Sequence, residues 1–256
     1  MTRKLELSRR VALLGLSAGA LSGCDRLSMQ PGFREALQSV EGLNYRLHRL
    51  LLSGPQLARE YSEADISTRF HANGTTMPTT DAYAQLMGGG FASWRLRIDG
   101  LVQRPAEYSL AQLRNMPART QITRHDCVEG WSAIGKWKGV PLRLLLQAAG
   151  LRPEARYIVF YCADFLGGVD NPNGRYYESI DLVDAFHPQT ILAYEMNDEP
   201  LPVRHGAPIR LRVERQLGYK HAKYVMRIEA VASYRGLYRG RGGYWPDRGY
   251  EWYAGI

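Results

Sequence analysis

The sequence predicts an α+β fold in which mixed sheets are joined by short helices. Two patterns carry that expectation. Apolar runs of strand length, such as 157–162 and 225–231, recur along the chain, and short segments with helical spacing fall between them. Gly and Pro punctuate the boundaries, and no internal repeat or obvious linker occurs after residue 60. The chain has 256 residues, 45% of them hydrophobic, with 3 Cys, 13 Pro and 26 Gly. That excludes a disordered chain, a collagen-like repeat and a disulfide scaffold. The length allows one large domain or two modest ones with a real core.

Residues 1–23 read as an address. Ser8-Arg9-Arg10-Val11-Ala12-Leu13-Leu14 precedes a short apolar run that ends in Leu21-Ser22-Gly23-Cys24. A charged segment, a short apolar segment and small residues before a cut define an export signal. The paired arginines resemble the twin-arginine signal. Leu-Ser-Gly-Cys resembles a bacterial lipobox, with Cys24 as the lipid-bearing new N-terminus and Asp25 as an inner-membrane retention signal. The alternative is an amphipathic helix with a buried Cys. Because the twin-arginine route carries folded chains, it points toward a cofactor inserted before export. The expected location is the periplasmic face of the inner membrane or the cell envelope, with the membrane reached through the lipid anchor alone.

Residues 24–60 form a tether and an amphipathic helix, with Leu43, Leu47, Leu50 and Leu51 at helical spacing and a stop at Ser53-Gly54-Pro55. The third region, 61–256, opens with a Thr-, Gly- and Pro-rich stretch to Gly90 that reads as extended loop. Trp94 to Gly100 alternates apolar and polar and closes on Asp-Gly, a strand and a tight turn. Tyr108 to Met116 suggests a short helix stopped by Pro117, and Gln121 to Cys127 a strand. Val140 to Gly150 has Pro near its start and Gly past its end, the signature of a helix. Tyr157 to Cys162 is a buried strand, and Ser179 to Ala185 a short helix or turn. Thr190 to Met196, Ile209 to Val213 and Val225 to Val231 are further strands. An aromatic, Gly-rich tail follows to Ile256, readable as a surface that docks a membrane cytochrome or as a strap across the domain.

The net charge of +8 includes Arg3, Lys4, Arg9 and Arg10 against Glu6, which leaves +5 after residue 23. That balance suits an anionic substrate, an anionic cofactor or an acidic membrane surface. Nucleic acid is not expected, since zinc-finger spacing, a basic heptad helix and an aromatic–basic RNA signature are all missing. There is no Cys-x2-Cys, no His-Glu-x-x-His and no helix-opening Gly-x-Gly-x-x-Gly. Beyond the N-terminus no stretch reaches the roughly 18 apolar residues of a membrane span.

The sharpest chemical feature is Arg124-His125-Asp126-Cys127-Val128-Glu129-Gly130-Trp131. A thiolate is a nucleophile and a soft-metal ligand, and cationic neighbours favour it. Cys127 is equally readable as a small buried turn residue, or as the nucleophile of a hydrolase with His125, His205 or His221 as base. Cys162 sits in an apolar run where a thiol packs as a small hydrophobe, and a Cys127–Cys162 disulfide is open in an exported protein. Two basic clusters follow, Leu201 to Arg210 and Gly218 to Tyr224. Their Arg, Lys and His around Gly and Pro turns suit a polyanion with phosphate and ring acceptors. Solvated basic loops would carry the same residues.

Taken in order, these segments resemble the molybdopterin domain of the sulfite oxidase family, including its exported methionine-sulfoxide-reductase-like members. The resemblance covers roughly residues 61–256. It rests on Phe70-His71-Ala72-Asn73-Gly74, on Trp94-Arg95-Leu96-Arg97-Ile98-Asp99-Gly100, on Cys127, and on Trp137-Lys138-Gly139-Val140-Pro141-Leu142. Leu192-Ala193-Tyr194-Glu195-Met196-Asn197 and the two basic clusters complete it. The resemblance implies a sulfite-oxidase-type molybdopterin-binding fold and a mononuclear molybdenum held by a pterin dithiolene. Cys127 would be the protein's metal ligand, with Arg124 and His125 favouring its ionised form. His71, Asn73, Asp164, His205, Arg210, His221, Ala222 and Lys223 would hold the cofactor, Ala222 through its backbone, and Arg210 and Lys223 would meet its phosphate. Arg124 would hold a substrate oxygen, and Tyr176 or Tyr177 would match the Tyr that sulfite oxidisers carry near the metal.

Two departures narrow the expectation. Sulfite-oxidising members carry Arg-Asn-His where this chain has Ala72-Asn73-Gly74. No haem-attachment Cys-x-x-Cys-His occurs, so electrons would pass to or from a separate protein, such as a membrane cytochrome b. The implied activity is two-electron oxygen-atom transfer on a small or protein-borne sulfur substrate in the cell envelope. The rivals are a non-catalytic lipoprotein that uses the same fold for binding, and the thiol hydrolase.

Overall fold

The structure, a computed structural model, describes residues 30–51, 56–168, 171 and 174–256. The export signal and Cys24 lie outside the described residues. The chain divides into two compact units, 1–51 and 52–256. In the first, α1 (Pro31–Leu51) is an amphipathic helix with His48 and Arg49 in its last turn, where positive charge meets the negative end of the helix dipole. Leu43, Leu47, Leu50 and Leu51 are exposed along it. Among the described residues no helix is long and apolar enough to cross a membrane.

The second unit starts before the expected boundary at residue 61. Ala58 N–H donates to Gln189 Oε1 at 2.7 Å, Gln189 Nε2 donates back to the Ala58 carbonyl at 3.0 Å, and Glu60 bridges Thr123. The stretch expected to be extended loop to Gly90 contains α2 (Asp81–Gly88), capped by the Thr80 hydroxyl, which accepts from Tyr83 N–H at 3.3 Å. Thr followed by Asp in the first turn is a helix-start signal, outweighed in the reading by the Thr, Pro and Gly around it.

Two five-stranded sheets follow. The first runs in the order β2 (Ala106–Ser109), β1 (Arg95–Gly100), β10 (Val225–Val231), β5 (Tyr157–Phe165), β6 (Arg175–Asp181). Only β1 and β10 in it pair in parallel. The second has β3 (Arg119–Cys127) beside β4 (Trp131–Pro141), then β7 (Ile191–Met196), which also pairs β8 (Glu199–Pro200) and β9 (Arg210–Arg212). The short helices are α3 (Leu110–Arg114), α4 (Leu142–Ala149) and α5 (Leu182–Ala185).

The helix expected over Tyr108 to Met116 is thus half strand. Ser109 ends β2, then caps α3 in a reciprocal box with Gln112. The α4 segment matches its expectation and ends on Gly150 in the left-handed region at φ 67°. The 11-residue β4 was not expected as a strand. Its Gly135, Gly139 and Lys residues weaken strand propensity, and pairing on both sides overrides it.

The main core fills the space shared by the two sheets and α4. Leu96, Ile98, Ile158, Phe160, Cys162 and Ile228 come from the first sheet, Val140, Leu192 and Leu211 from the second, and Leu142, Leu145 and Leu146 from α4. The other face of β5 is covered as well. Val159 and Tyr161 pack with Tyr177 and Tyr244 beneath the C-terminal tail. Burial on both faces is why β5 reads as a continuous apolar run rather than an alternating one.

Candidate active site

The β3–β4 hairpin sets the first wall. Its register pairs Cys127 with Trp131, and Gly130 turns the chain at φ 86°. Side chains alternate across a strand, so Thr123, His125 and Cys127 share one face while Arg124 and Asp126 share the other. His125 is buried. Arg124 is 54% exposed and ion-paired to Asp126 at 3.0 Å, in a separate hollow with Ala58, Tyr61 and Glu214. The expectation that Arg124 stands beside Cys127 and holds a substrate oxygen is therefore corrected: an odd separation along one strand puts the two on opposite faces.

Cys127 opens into a cavity of about 420 Å³ whose lining includes Asn73, Thr75, Glu129, Asp164, Tyr176, His221 and Lys223. Four separate segments meet here. The 70–75 loop is stapled down by Lys223, whose ammonium donates to the Asn73 carbonyl at 2.6 Å, to the Thr75 carbonyl, and to the Arg204 carbonyl at 3.3 Å. The end of β5 supplies Asp164, which accepts from the Thr75 hydroxyl at 2.8 Å. β6 supplies Tyr176, whose hydroxyl donates to the Tyr219 carbonyl at 2.6 Å. The alternation of β6 decides between the two tyrosines. Tyr176 faces the cavity, whereas Tyr177 turns toward the tail and donates to Asp247 at 2.6 Å.

Behind this wall lies a buried layer of basic groups. Arg210 and Arg212 are fully buried over the Trp137 ring, at 5.1 and 4.3 Å from its centroid. Arg212 pairs with Glu214 at 2.6 Å and meets His125 Nδ1 at 3.0 Å. Arg210 faces only neutral acceptors, the His205 carbonyl at 3.1 Å and Asn73 Oδ1 at 3.5 Å. Phe70 packs edge-on against Trp137 and His205. Of the predicted residues, His71 is exposed on the rim against Trp131. Ala222 is buried, with its N–H given to the Lys220 carbonyl and its own carbonyl accepting from Leu211 N–H. Its backbone is thus engaged within the protein, and it lies outside the cavity wall.

The electrostatics of this layer are unbalanced. Burial, then the Arg212 guanidinium, pushes Arg210 down to about 9. Burial and Arg210 push Lys223 down to about 7, and His205 down to about 4. Desolvation holds His125 and His221 well below the usual imidazole value. Arg212 has Glu214 as its counter-anion and Lys223 has Asp164 near it, whereas Arg210 has no acid at hydrogen-bond distance among the described residues, and a buried cation so placed is costly. Among the described residues of this layer, Asp164 Oδ1, His205 Nδ1 and Arg210 Nε have no hydrogen-bonding partner in the protein, and neither do His125 Nε2 and Trp137 Nε1. Native proteins seldom leave such groups unpaired unless a ligand answers them. A ligand with a phosphate and a hydrogen-bonding ring system fits both deficits, so the residues present suit a pterin cofactor.

The Cys127 thiol is raised above its usual value, first by burial and partly offset by the Glu129 backbone N–H. The expected help from Arg124 and His125 is corrected: one faces away and the other is held neutral. A bound metal ion would supply the missing stabilisation of the thiolate. Both Cys127 and Cys162 are free thiols, which removes the disulfide, and burial in the core pushes the Cys162 thiol well up. Of the three histidines considered as the base of a hydrolase, His221 lines the cavity with Cys127 and engages the Gln216 carbonyl through Nε2, while burial holds all three below the usual imidazole value.

Some of the site was missed in the sequence. Glu129 accepts from Gly74 N–H at 3.3 Å and from Trp131 Nε1 at 2.9 Å, tying the 70–75 loop to the hairpin. Thr75 positions Asp164, and Trp245 and Tyr250 from the tail complete the wall. The Cys-x-Glu-x-Trp spacing on a hairpin turn was the available signal for Glu129. For Thr75 there was none.

Comparison with known proteins agrees with this geometry. The oxidoreductase molybdopterin-binding domain family matches residues 85–238. The putative protein-methionine-sulfoxide reductase subunit YedZ1 of Azospira oryzae is 37% identical over 99% of this chain and 87% of its own length. The protein-methionine-sulfoxide reductase catalytic subunit MsrP of Ralstonia nicotianae is 37% identical over 54% of this chain. That of Gluconobacter oxydans is 36% identical over 54%. The chain spans about half the length of these two relatives, 44% and 47%. The sulfane dehydrogenase SoxCD of Paracoccus pantotrophus aligns over 56% of this chain and 39% of its own at 26% identity, with a TM-score of 0.49. With a matching domain over more than half its length and a relative aligned almost end to end, the chain belongs to the molybdopterin-binding oxidoreductase family.

Proposed function

We propose that this chain is the catalytic part of a cell-envelope reductase that removes oxygen from methionine sulfoxide in proteins. The names of its relatives support the substrate class, and one observation from this chain carries it. Among the described residues lining the cavity the only cation is Lys223, already donating to three backbone carbonyls. With Arg124 on the other face and Ala72 and Gly74 in the loop, the mouth holds no free cation for an anion such as sulfite. Val128, Trp245 and Tyr250 line it instead, which suits a neutral thioether sulfoxide.

When bound, a molybdenum–pterin group supplies two-electron oxygen-atom transfer, and the protein supplies binding and orientation. Cys127 is the residue that would hold the metal. Arg210 and Lys223 would answer the phosphate, and Asp164, His205 and His221 the ring heteroatoms. Burial keeps the Tyr176 phenol protonated, and its bond to the Tyr219 carbonyl holds Tyr219 in the wall. Each turnover breaks one S–O bond and consumes two electrons and two protons, yielding thioether and water. A separate membrane cytochrome would bring the electrons. Export would follow the twin-arginine route with anchoring at Cys24, and Cys24→Ala would then release the protein from membranes.

The test is metal analysis and turnover of protein purified from a cofactor-competent host. About one molybdenum per chain and sulfoxide-dependent oxidation of reduced viologen are expected. Metal-free protein, or turnover of sulfite in preference to sulfoxide, would overturn the reading. Bound molybdenum with no turnover of any sulfur substrate would favour the non-catalytic binding protein.

A further inference from the structure

A second hollow adjoins the site. It has a volume of about 390 Å³ and shares Val128, Tyr219 and Tyr250 with the Cys127 cavity. Its far side is built by Leu217, Glu251, Tyr253, Ala254 and Gly255, so one carboxylate stands among apolar and aromatic groups. This far side is held in place by the C-terminal segment, whose Ala254 carbonyl accepts from Leu217 N–H at 2.9 Å and whose Gly255 bridges Gln216. Tyr219 is fixed from two directions, with its hydroxyl donating to the Glu251 carbonyl at 2.6 Å and its ring edge-on to Tyr250 at 5.3 Å.

Val128 is the dividing residue. It follows Cys127 at the tip of the hairpin, lines both hollows, and is 45% exposed. The trough it borders is lined mainly by apolar and aromatic groups, and a hollow of that kind beside a reaction cavity suits an apolar group. Because Val128 follows Cys127 and lines both hollows, a substrate side chain that approached Cys127 at this mouth would leave its neighbours beside the trough. Continuity of the two walls argues for one ligand that occupies both.

We infer that the trough lined by Val128, Leu217, Tyr219, Tyr250 and Tyr253, with Glu251 as its one charged residue, is a second subsite, which takes an apolar side chain flanking the sulfoxide in a polypeptide. The proposal rests on the sulfoxide-reductase reading and adds a preference that reading does not contain. Burying one apolar side chain in such a trough favours a matched peptide by about tenfold or more.

The experiment uses the molybdenum-loaded enzyme with reduced viologen, two one-electron equivalents per sulfoxide. Three substrates are compared: free methionine sulfoxide, a peptide with Leu and Phe flanking the sulfoxide, and the same peptide with Ser at those positions, which is neutral toward the Glu251 carboxylate. The expected kcat/KM of the apolar peptide exceeds that of the Ser peptide by about tenfold. Tyr253 lines the trough and not the Cys127 cavity. Tyr253→Ser should therefore cut that advantage to below about threefold through KM, and leave free methionine sulfoxide within about twofold. Val128→Thr, close to Val in shape, should move the peptide ratio in the same direction. Equal rates for the two peptides, or a Tyr253→Ser loss shared by the free sulfoxide, would overturn the subsite alone. Failure of all three substrates would overturn the underlying reading as well.

Discussion

At the scale of single residues the site is defined by unanswered polarity. Cys127 is half-buried with its thiol raised, which leaves it a poor nucleophile unless a bound cation stabilises the thiolate. Cys127→Ala should abolish viologen oxidation, by at least about a thousandfold, while thermal unfolding stays within about 2 °C of wild type. Lys223 gives a pH prediction. Its native value is pushed from 10.5 down to about 7. Between those values the unfolded chain binds more protons than the native one, so stability rises with pH. Cofactor-free protein should therefore gain melting temperature from about pH 7 to pH 9, and Lys223→Met should flatten that rise. The window stops there because Arg210, pushed down to about 9, begins to contribute above it. An anionic ligand beside Lys223 favours its charged form, so loading the cofactor should also flatten the slope.

At the scale of elements, pairing decides what composition leaves open. β4 carries Gly139 where its Cβ would overlap the Leu192 carbonyl of β7. Gly139→Ala should separate those strands and cost about 1–3 kcal/mol in urea unfolding. The same strand escaped the sequence reading, because Gly135 and Gly139 stand at positions where an alternating apolar pattern needs side chains. The well-patterned elements were legible: β1 by alternation, α4 by its Pro and Gly boundaries, and β5 by its apolar run. The boundary errors share a cause. Ser109 is both the last residue of β2 and the cap of α3, and a chain that changes conformation at one residue shows one signal for two elements.

At the scale of the whole molecule the tail acts as a strap. Asp247 accepts from the Tyr177 hydroxyl and from the N–H groups of Arg239 and Arg241, at 2.6, 3.3 and 2.9 Å. Trp252 Nε1 donates to the Ser179 hydroxyl at 2.8 Å. These bonds hold Trp245 and Tyr250 against the cavity and cover the second face of β5. Asp247→Ala strands three donors and should cost about 1–3 kcal/mol in urea unfolding. Because the tail forms cavity wall, that variant should also retain less molybdenum after purification. Of the two readings of this aromatic segment the strap is the one the contacts show. The aromatic density pointed to an interface without saying whether the partner lay inside or outside the chain.

The sequence alone determined the family, because motif order and residue type are properties of the chain itself. Four of the eight residues it offered for the cofactor, Asn73, Asp164, His221 and Lys223, line the cavity. Which face each side chain occupies was decided only in three dimensions. Arg124 is three residues from Cys127 in the chain yet lies across a strand from it, whereas Thr75 and Asp164, 89 residues apart, share a hydrogen bond. Strand alternation and the pairing of distant segments set those neighbours. Both arise from closing the sheets, a step that no local stretch of sequence records.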